Sequence, residues 1–253
     1  MTEKNFLNLL GQVDDSLIQS AEDMGKKKKP RYWVKWASMA AAALLLTVGI
    51  FAGGMTRIPL GDNSSDVTVR YALGNIRPAM EENSLIYLTE EELFTHWYTA
   101  VFEGTVEKIN NIVMNFNGHT MNRALAEIKV ERVYRGDVAV GDTAVILLPC
   151  SVGKGVWVED TDTVAGMREG DRGIFMPIVY EDDSFIESNG ATLYLKELAP
   201  YGLADGVRYV FLDRETAPVY HKSAYPSLSG ISSFDEIRNF VAEMVEKTSG
   251  LDG

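Results

Sequence analysis

The chain has 253 residues, 46% of them hydrophobic, and a formal net charge of −12 at pH 7. Residues 1–55 contain seven Lys or Arg and five Asp or Glu, which leaves 17 basic and 31 acidic residues, a net charge of −14, on residues 56–253. A surface this acidic repels phosphates, so the composition argues against nucleic acid as a partner.

The first segment, residues 1–25, is predicted to be a cytoplasmic amphipathic helix over residues 3–23. Its apolar side chains recur at the helical period of 3.6 residues, and the candidate partner-binding face consists of Phe6, Leu9, Leu10, Val13 and Leu17. A lone helix of this length is marginal in water, so the stripe predicts a partner. The partner could be a cytoplasmic protein, a second copy of the chain or the membrane surface. A loosely helical tail without a partner is the alternative.

Residues 36–55, WASMAAAALLLTVGIFAGGM, carry no charge and are predicted to span a membrane as a helix. The basic juxtamembrane segment, residues 26–35, precedes them and contains the membrane-orienting side chains Lys26, Lys27, Lys28, Lys29, Arg31 and Lys35. Only Arg57 lies near the other end, so the positive-inside rule places the N-terminus in the cytoplasm and the C-terminal domain outside the cell membrane. A cleaved signal peptide and a buried soluble helix are the competing interpretations.

Residues 56–84 are rich in Pro, Gly, Asn and Ser and are predicted to form an extracytoplasmic stalk, with a short strand at Val67 to Tyr71. A folded domain, residues 85–225, follows and opens with a capping box at Thr89 and Glu92. Short runs of β-type sequence separated by Gly-Asp turns predict an antiparallel barrel or sandwich. The predicted strands are 98–109, 125–134, 143–148, 156–158, 172–180, 191–195 and 207–212.

The C-terminal segment, residues 226–253, is predicted to contain a helix that packs on the barrel. Ser233 and Glu236 form a second capping box, and an apolar stripe runs from Phe234 to Val245. The fold class expected for the whole chain is mainly β: an OB-like antiparallel β-barrel with short N-terminal and C-terminal helices, one transmembrane helix and the cytoplasmic amphipathic helix.

Three phrases of the sequence carry a resemblance: Glu103 to Val106, Val130 to Asp142 and Gly170 to Phe175. Their order resembles the OB-fold barrels of the netrin-like and tissue-inhibitor-of-metalloproteinase-like type that bacteria use in membrane-anchored proteins. The matching residues belong to turns and core, so the resemblance implies a fold and no activity. The N-terminal cysteine and the disulfides with which the animal inhibitors bind a protease are absent, which argues against that mechanism.

The layout of tail, anchor and outer domain is also similar to that of membrane anti-sigma proteins of Gram-positive bacteria. This similarity rests on layout alone, because the zinc-binding Cys and His residues of some anti-sigma domains do not occur in residues 1–25. It implies a cytoplasmic partner, such as a sigma factor, bound through residues 3–23.

No catalytic or cofactor motif occurs in the sequence. His96, His119 and His221 stand far apart, and Cys150 has no neighbouring histidine, so neither a zinc site nor a thiol nucleophile is indicated. Cys150 is expected to be buried and inert, Arg135-Gly136-Asp137 to form a turn, and the late tyrosines to pack in the core. The sequence therefore predicts no enzyme, no cofactor and no metal. It predicts a membrane-anchored binding or sensing module whose partners are the lipid bilayer, a cytoplasmic protein and an unidentified outer ligand, with a surface scaffold as the alternative.

Overall fold

A computed structural model of the chain describes residues 57–72, 85–153 and 161–249. The predicted cytoplasmic helix, basic segment and membrane span, and the predicted strand at 156–158, lie outside the described residues. None of the helices within the described ranges is both long enough and apolar enough to cross a lipid bilayer.

The described part of the chain is mainly β, as predicted. Its helices are α1 (Glu90–Thr95), α2 (Asp162–Ala165) and α3 (Phe234–Thr248), and short 3-10 turns lie at Leu195–Glu197 and Pro226–Leu228. Its strands are β1 (Arg57–Ile58), β2 (Val67–Tyr71), β3 (Val101–Phe116), β4 (His119–Arg135), β5 (Thr143–Leu148), β6 (Arg172–Phe175), β7 (Ile178–Val179), β8 (Phe185–Ser188), β9 (Ala191–Tyr194), β10 (Tyr201–Gly202) and β11 (Val210–Asp213).

The long β3–β4 hairpin forms the centre of the main sheet. The two strands pair from Val101 opposite Arg135 to Phe116 opposite His119, and the Asn117-Gly118 turn joins them with positive φ at both residues. This turn geometry matches the twist of an antiparallel pair and favours the Asn-Gly dipeptide. Both strands are longer than the sequence predicts, because residues 110–124 continue the hairpin beyond the predicted strand ends.

The neighbours of this hairpin follow the order β1-β2-β3-β4-β5-β10-β7, while β6 pairs with both β3 and β11. All of these pairs are antiparallel except β5–β10, in which Tyr201 lies opposite Ile146 in a parallel register. The strands β8 and β9 form a separate two-stranded sheet.

Through its described strand pairs the sheet stays open between β7 and β3. The two edges are nevertheless joined by an isolated bridge between Thr99 and Ile178. Backbone hydrogen bonds flank this bridge, from Ala100 N–H to Pro177 O at 2.9 Å and from Val179 N–H to Tyr98 O at 3.1 Å. Pro177 divides the predicted strand 172–180 into β6 and β7, because proline has no N–H to donate to a neighbouring strand.

Two hydrophobic cores lie on opposite faces of the sheet, since successive side chains of a strand point to opposite sides. The first contains Ala126 and Ile128 of β4, Ile146 of β5 and the buried side chains of α1 and α3. The second contains Ile112 and Leu125 of the same hairpin and is covered by β1, β2 and the β8–β9 region.

Both capping boxes are confirmed: Thr89 and Glu92 open α1, and Ser233 and Glu236 open α3. Helix α3 buries Phe234, Ile237, Val241 and Val245 against the first core, which confirms that it packs on the sheet.

Residues 57–72 differ from the predicted stalk. The short strand predicted at Val67 to Tyr71 is present as β2, and it pairs with β3 and with β1. Val67 and Val69 are buried in the second core, and Ser65 bridges to Thr192. The burial of these alternating valines explains why this part of the segment joins the folded domain.

Candidate functional site

None of the site residues predicted from the sequence lies in the described part of the chain. The helix face of Phe6, Leu9, Leu10, Val13 and Leu17 and the cations Lys26, Lys27, Lys28, Lys29, Arg31 and Lys35 all precede residue 57. These residues lie outside the described ranges, and the site described below comes from other residues.

Most charged groups that are buried within the described ranges join elements of the fold. The side chain of Glu103 on β3 is 1% exposed, and its carboxylate accepts hydrogen bonds from Arg238 Nε at 3.0 Å and Arg238 Nη2 at 2.7 Å. Arg172 of β6 lies 2.9 Å from the same carboxylate. This group fastens α3 and β6 to β3, so its role is structural.

Arg135 illustrates the same role within the Arg-Gly-Asp tripeptide. Its guanidinium donates to the carbonyl oxygens of Phe94 and Thr99, at 2.9 and 3.0 Å, and to the Thr99 hydroxyl at 2.6 Å. Gly136 follows with a φ of +107° and begins the turn after β4. The arginine points into the fold, which confirms the turn interpretation of this tripeptide.

The tyrosine cluster and the cysteine also belong to the interior. Tyr201, Tyr209 and Tyr225 are buried in the first core, as is Cys150 at 2% exposure. Burial raises the pKa of Tyr209 to about 12, and the Tyr225 hydroxyl donates to the carbonyl oxygen of Arg208 at 2.6 Å. These positions confirm the core roles predicted for them.

One exposed surface of the sheet carries polar side chains that do not pack into either core. Beyond the first core, the far half of the β3–β4 hairpin and strands β1 and β2 expose a polar face. Residues directly opposite each other in an antiparallel pair share a face. The observed registers place Arg57, Arg70, Val113 and Asn122 in one row across four strands, with Thr68 and Asn115 in the next row. We call this surface the arginine–asparagine face, after its polar members Arg57, Arg70, Thr68, Asn115 and Asn122.

The two arginines of this face are directly opposite each other. Arg57 of β1 pairs in register with Arg70 of β2, and both side chains are exposed. Like charges in this position destabilise a strand pair unless solvent or an anion separates them. Neither guanidinium has an ion pair or side-chain hydrogen bond with another residue of the described ranges. Within the described ranges, no side chain competes with an external anion for these two guanidinium groups.

The charge around the two arginines is unusual for this domain. No Asp or Glu occurs between residues 108 and 126, although acidic residues greatly outnumber basic ones after residue 55. Arg123 and His119 lie on the other face of the hairpin, because they pair with Ile112 and Phe116 of the second core. The arginine–asparagine face is thus a surface with two arginines and several amides, on a domain that is acidic elsewhere.

A depression of about 770 Å³ lies at the β1 edge of this face. Arg57, Thr68 and Asn115 contribute to its wall, together with Ser64 and Asp66 from the β1–β2 connection. Glu197 holds that connection in place, because its carboxylate accepts hydrogen bonds from Asn63 N–H at 3.0 Å and Ser64 Oγ at 2.6 Å. Depressions of this volume accommodate small ligands or polar headgroups.

The chemistry that this site offers is recognition. Guanidinium groups bind carboxylates and phosphates with two parallel hydrogen bonds, and the amides and hydroxyls can donate to or accept from neighbouring polar groups. In the part of the chain that the structure describes, no group of three or more His, Cys, Asp or Glu side chains is placed to hold a metal ion.

The signal for this site was present in the sequence but could not be interpreted from it. Asn117-Gly118 is a strong hairpin signal, and recognising it would have extended the two strands through residues 110–124. The pairing of Arg57 with Arg70 depends on the register of a two-residue strand, which no local pattern specifies. No protein-family model, curated protein or solved structure matches the chain.

Proposed function

We propose that the protein is a single-pass, membrane-anchored binding or sensing module without catalytic activity. Residues 36–55 would span the membrane, residues 1–25 would lie in the cytoplasm, and the β domain would lie outside. The uncharged run of 20 residues after a cluster of six basic residues supports this arrangement.

The observation that carries the binding role is the arginine–asparagine face. Two exposed arginines stand opposite each other, and Arg57 lines the depression, whereas the buried carboxylate of Glu103 is paired within the fold. A cross-strand pair of like charges is unfavourable for folding alone. Its presence therefore supports recognition of an anionic group.

We also propose an OB-like barrel for the outer domain. Support comes from the order β3-β4-β5-β10-β7, from the parallel β5–β10 pair, and from the backbone hydrogen bonds between Tyr98–Ala100 and Pro177–Val179. An OB-fold is a partly open five-stranded Greek-key barrel. The resemblance to netrin-like and tissue-inhibitor-of-metalloproteinase-like domains remains part of this proposal.

The cytoplasmic partner is proposed from the apolar stripe of residues 3–23, and a sigma factor fits the anti-sigma layout. The full chain would be purified from membranes with its bound proteins, beside a Leu9→Asp/Leu10→Asp variant that interrupts the stripe. An Asn8→Asp/Gln12→Asp variant is the matched control, because it adds the same charge to the opposite face of the helix. We expect a specific partner with the natural chain and the control, and loss of that partner with the stripe variant.

A partner that is indifferent to the stripe variant, or no partner at all, would contradict the signalling role. The alternative function is then a surface binding or scaffold protein whose inner tail serves only for orientation. Deleting residues 2–24 separates the two, because a scaffold keeps its outer function without the tail.

A further inference from the structure

We propose that the arginine–asparagine face contacts the phosphates of lipid headgroups on the outer surface of the membrane that anchors the chain. The outer domain would then lie against the bilayer through β1, β2 and the far half of the β3–β4 hairpin. This inference rests on the proposed membrane anchor and adds to it a docking surface with an occupant of defined chemistry.

Strand β1 begins only a short length of chain after the predicted membrane span. The predicted span ends at Met55, and strand β1 begins at Arg57. Two residues extend the chain by at most about 7 Å. The headgroup layer on each side of a bilayer is about 5 to 8 Å thick. Arg57 is therefore held at the level of the headgroups by its place in the chain.

The register of the sheet brings further residues of the arginine–asparagine face to the level of the headgroups. Arg70 is the direct cross-strand partner of Arg57, and Thr68 lies opposite Asn115 on the adjacent pair. Opposite α-carbons in an antiparallel pair are about 5 Å apart. A surface that holds Arg57 among headgroups therefore brings Arg70 within reach of them as well.

The side chains of the arginine–asparagine face match the chemistry of a phospholipid headgroup. A guanidinium pairs with phosphate in a bidentate geometry, and the two arginines have no partner among the described residues. The depression beside Arg57 has the polar groups of Ser64, Thr68 and Asn115 and the carboxylate of Asp66 in its wall, next to an apolar part formed by Ile58, Pro59, Leu60 and Val67. These groups suit a headgroup that combines a phosphate with hydroxyl or ammonium donors.

The test uses the full chain reconstituted into nanodiscs of phosphatidylcholine, with or without phosphatidylglycerol. A fluorophore is attached at Thr120→Cys, an exposed position opposite Asn115 at the margin of the face, or at Val140→Cys as the remote position, and is quenched by a headgroup-nitroxide lipid. Cys150 is 2% exposed and does not compete for the label. Val140 is 66% exposed and follows the opposite end of β4 from the hairpin turn.

We expect strong quenching at position 120, weak quenching at position 140 and an increase at position 120 with phosphatidylglycerol. In Arg57→Gln and Arg70→Gln, the ratio of docked to undocked domain falls about fivefold for each arginine removed, as for any cation near an anionic lipid surface. The control Arg168→Gln/Lys222→Gln removes two exposed cations elsewhere and keeps the quenching of the natural chain. A melting temperature no lower than that of the natural chain shows that each variant is folded.

Equal quenching at the two positions, or equal behaviour of the arginine and control variants, overturns the headgroup contact. Inorganic phosphate that raises the melting temperature through Arg57 and Arg70, without quenching in nanodiscs, assigns the face to free phosphate and also overturns it. A chain that is not retained in nanodiscs contradicts the proposed anchor itself. A chain that inserts while position 120 stays remote from lipid contradicts only the docking.

Discussion

Glu103 shows how a single buried carboxylate connects three elements of this domain. We expect Glu103→Gln to lower the free energy of unfolding by about 3 kcal/mol, because it leaves the partly buried Arg238 with only the more exposed carboxylates of Asp235 and Asp213 as anionic partners. Chemical denaturation of the full chain in detergent measures the change. Glu131→Gln is the control, since it also removes a carboxylate that contacts Arg172 but is 35% exposed, and its cost should stay below about 1 kcal/mol. Equal effects would contradict the structural role of Glu103.

Whereas the carboxylate of Glu103 stabilises the fold, the carboxylate of Glu127 lowers the stability of the domain at neutral pH. Its burial raises the pKa of its carboxyl group, Lys108 at 3.9 Å lowers it, and Glu107 and Glu169 raise it further, for a net increase. Its Oε1 accepts no hydrogen bond from a described residue. A carboxyl group whose pKa is higher in the folded state than in the unfolded state binds more protons when folded, so the stability of the domain falls as pH rises through that range.

We therefore expect Glu127→Gln to be more stable than the natural chain at pH 7, with the difference vanishing as pH falls below the ordinary range of a glutamate. Melting temperatures measured from pH 4 to pH 8 provide the comparison. Glu243→Gln, at an exposed position of α3, should give a difference that does not vary with pH in this way. A lower stability for Glu127→Gln at pH 7 would show that its carboxylate is favourable in the fold.

At the scale of elements, two Asn-Gly turns stabilise each other. Asn117 and Asn189 have φ values of +48° and +50°, and each precedes a glycine in a hairpin turn. Asn189 Nδ2 donates to Asn117 O at 2.6 Å, and Asn117 Nδ2 donates to Asn189 O at 3.3 Å. The turns thereby join the β3–β4 and β8–β9 hairpins at the edge of the second core.

Substitutions at Asn117 separate the contribution of its positive-φ backbone conformation from that of its side-chain hydrogen bond. We expect Asn117→Ala to cost about 1 to 2 kcal/mol, because alanine is disfavoured at positive φ and the amide hydrogen bond is lost. Asn117→Gly should cost less, since glycine accepts this backbone conformation and only the hydrogen bond is removed. Denaturation of both variants measures the difference, and a glycine variant that is less stable than the alanine variant would contradict this account.

At the scale of the whole molecule, the contact between Tyr98–Ala100 and Pro177–Val179 decides whether the sheet behaves as a barrel. Hydrogen–deuterium exchange measures this directly. We expect the amides of Ala100 and Val179 to exchange as slowly as those in the middle of the β4–β5 ladder, because a closed ring opens only with the core. Exchange as fast as that of the exposed Gly118 would instead indicate an open sheet.

The elements that the sequence predicted are those with local signals. The capping boxes at Thr89 and Ser233 placed both longer helices, and the alternating pattern placed the middle of β4. The parallel β5–β10 pair depends on two residues, Tyr201 and Gly202, and cannot be recognised from such a short segment. Similarly, Val207 to Leu212 is a strand only from Val210, because Asp205 accepts hydrogen bonds from Val207 N–H and Arg208 N–H and makes the preceding residues turn.

The membrane anchor is the claim on which the proposed function and the headgroup contact both depend. Labelling of intact cells with a membrane-impermeant maleimide tests it, with Ser20→Cys reporting the predicted inner tail and Ser223→Cys an exposed position of the outer domain. The account predicts that Ser223→Cys is labelled in intact cells and that Ser20→Cys is labelled only after the membrane is permeabilised. Labelling of both in intact cells, of Ser20→Cys alone, or of neither until permeabilisation would contradict it.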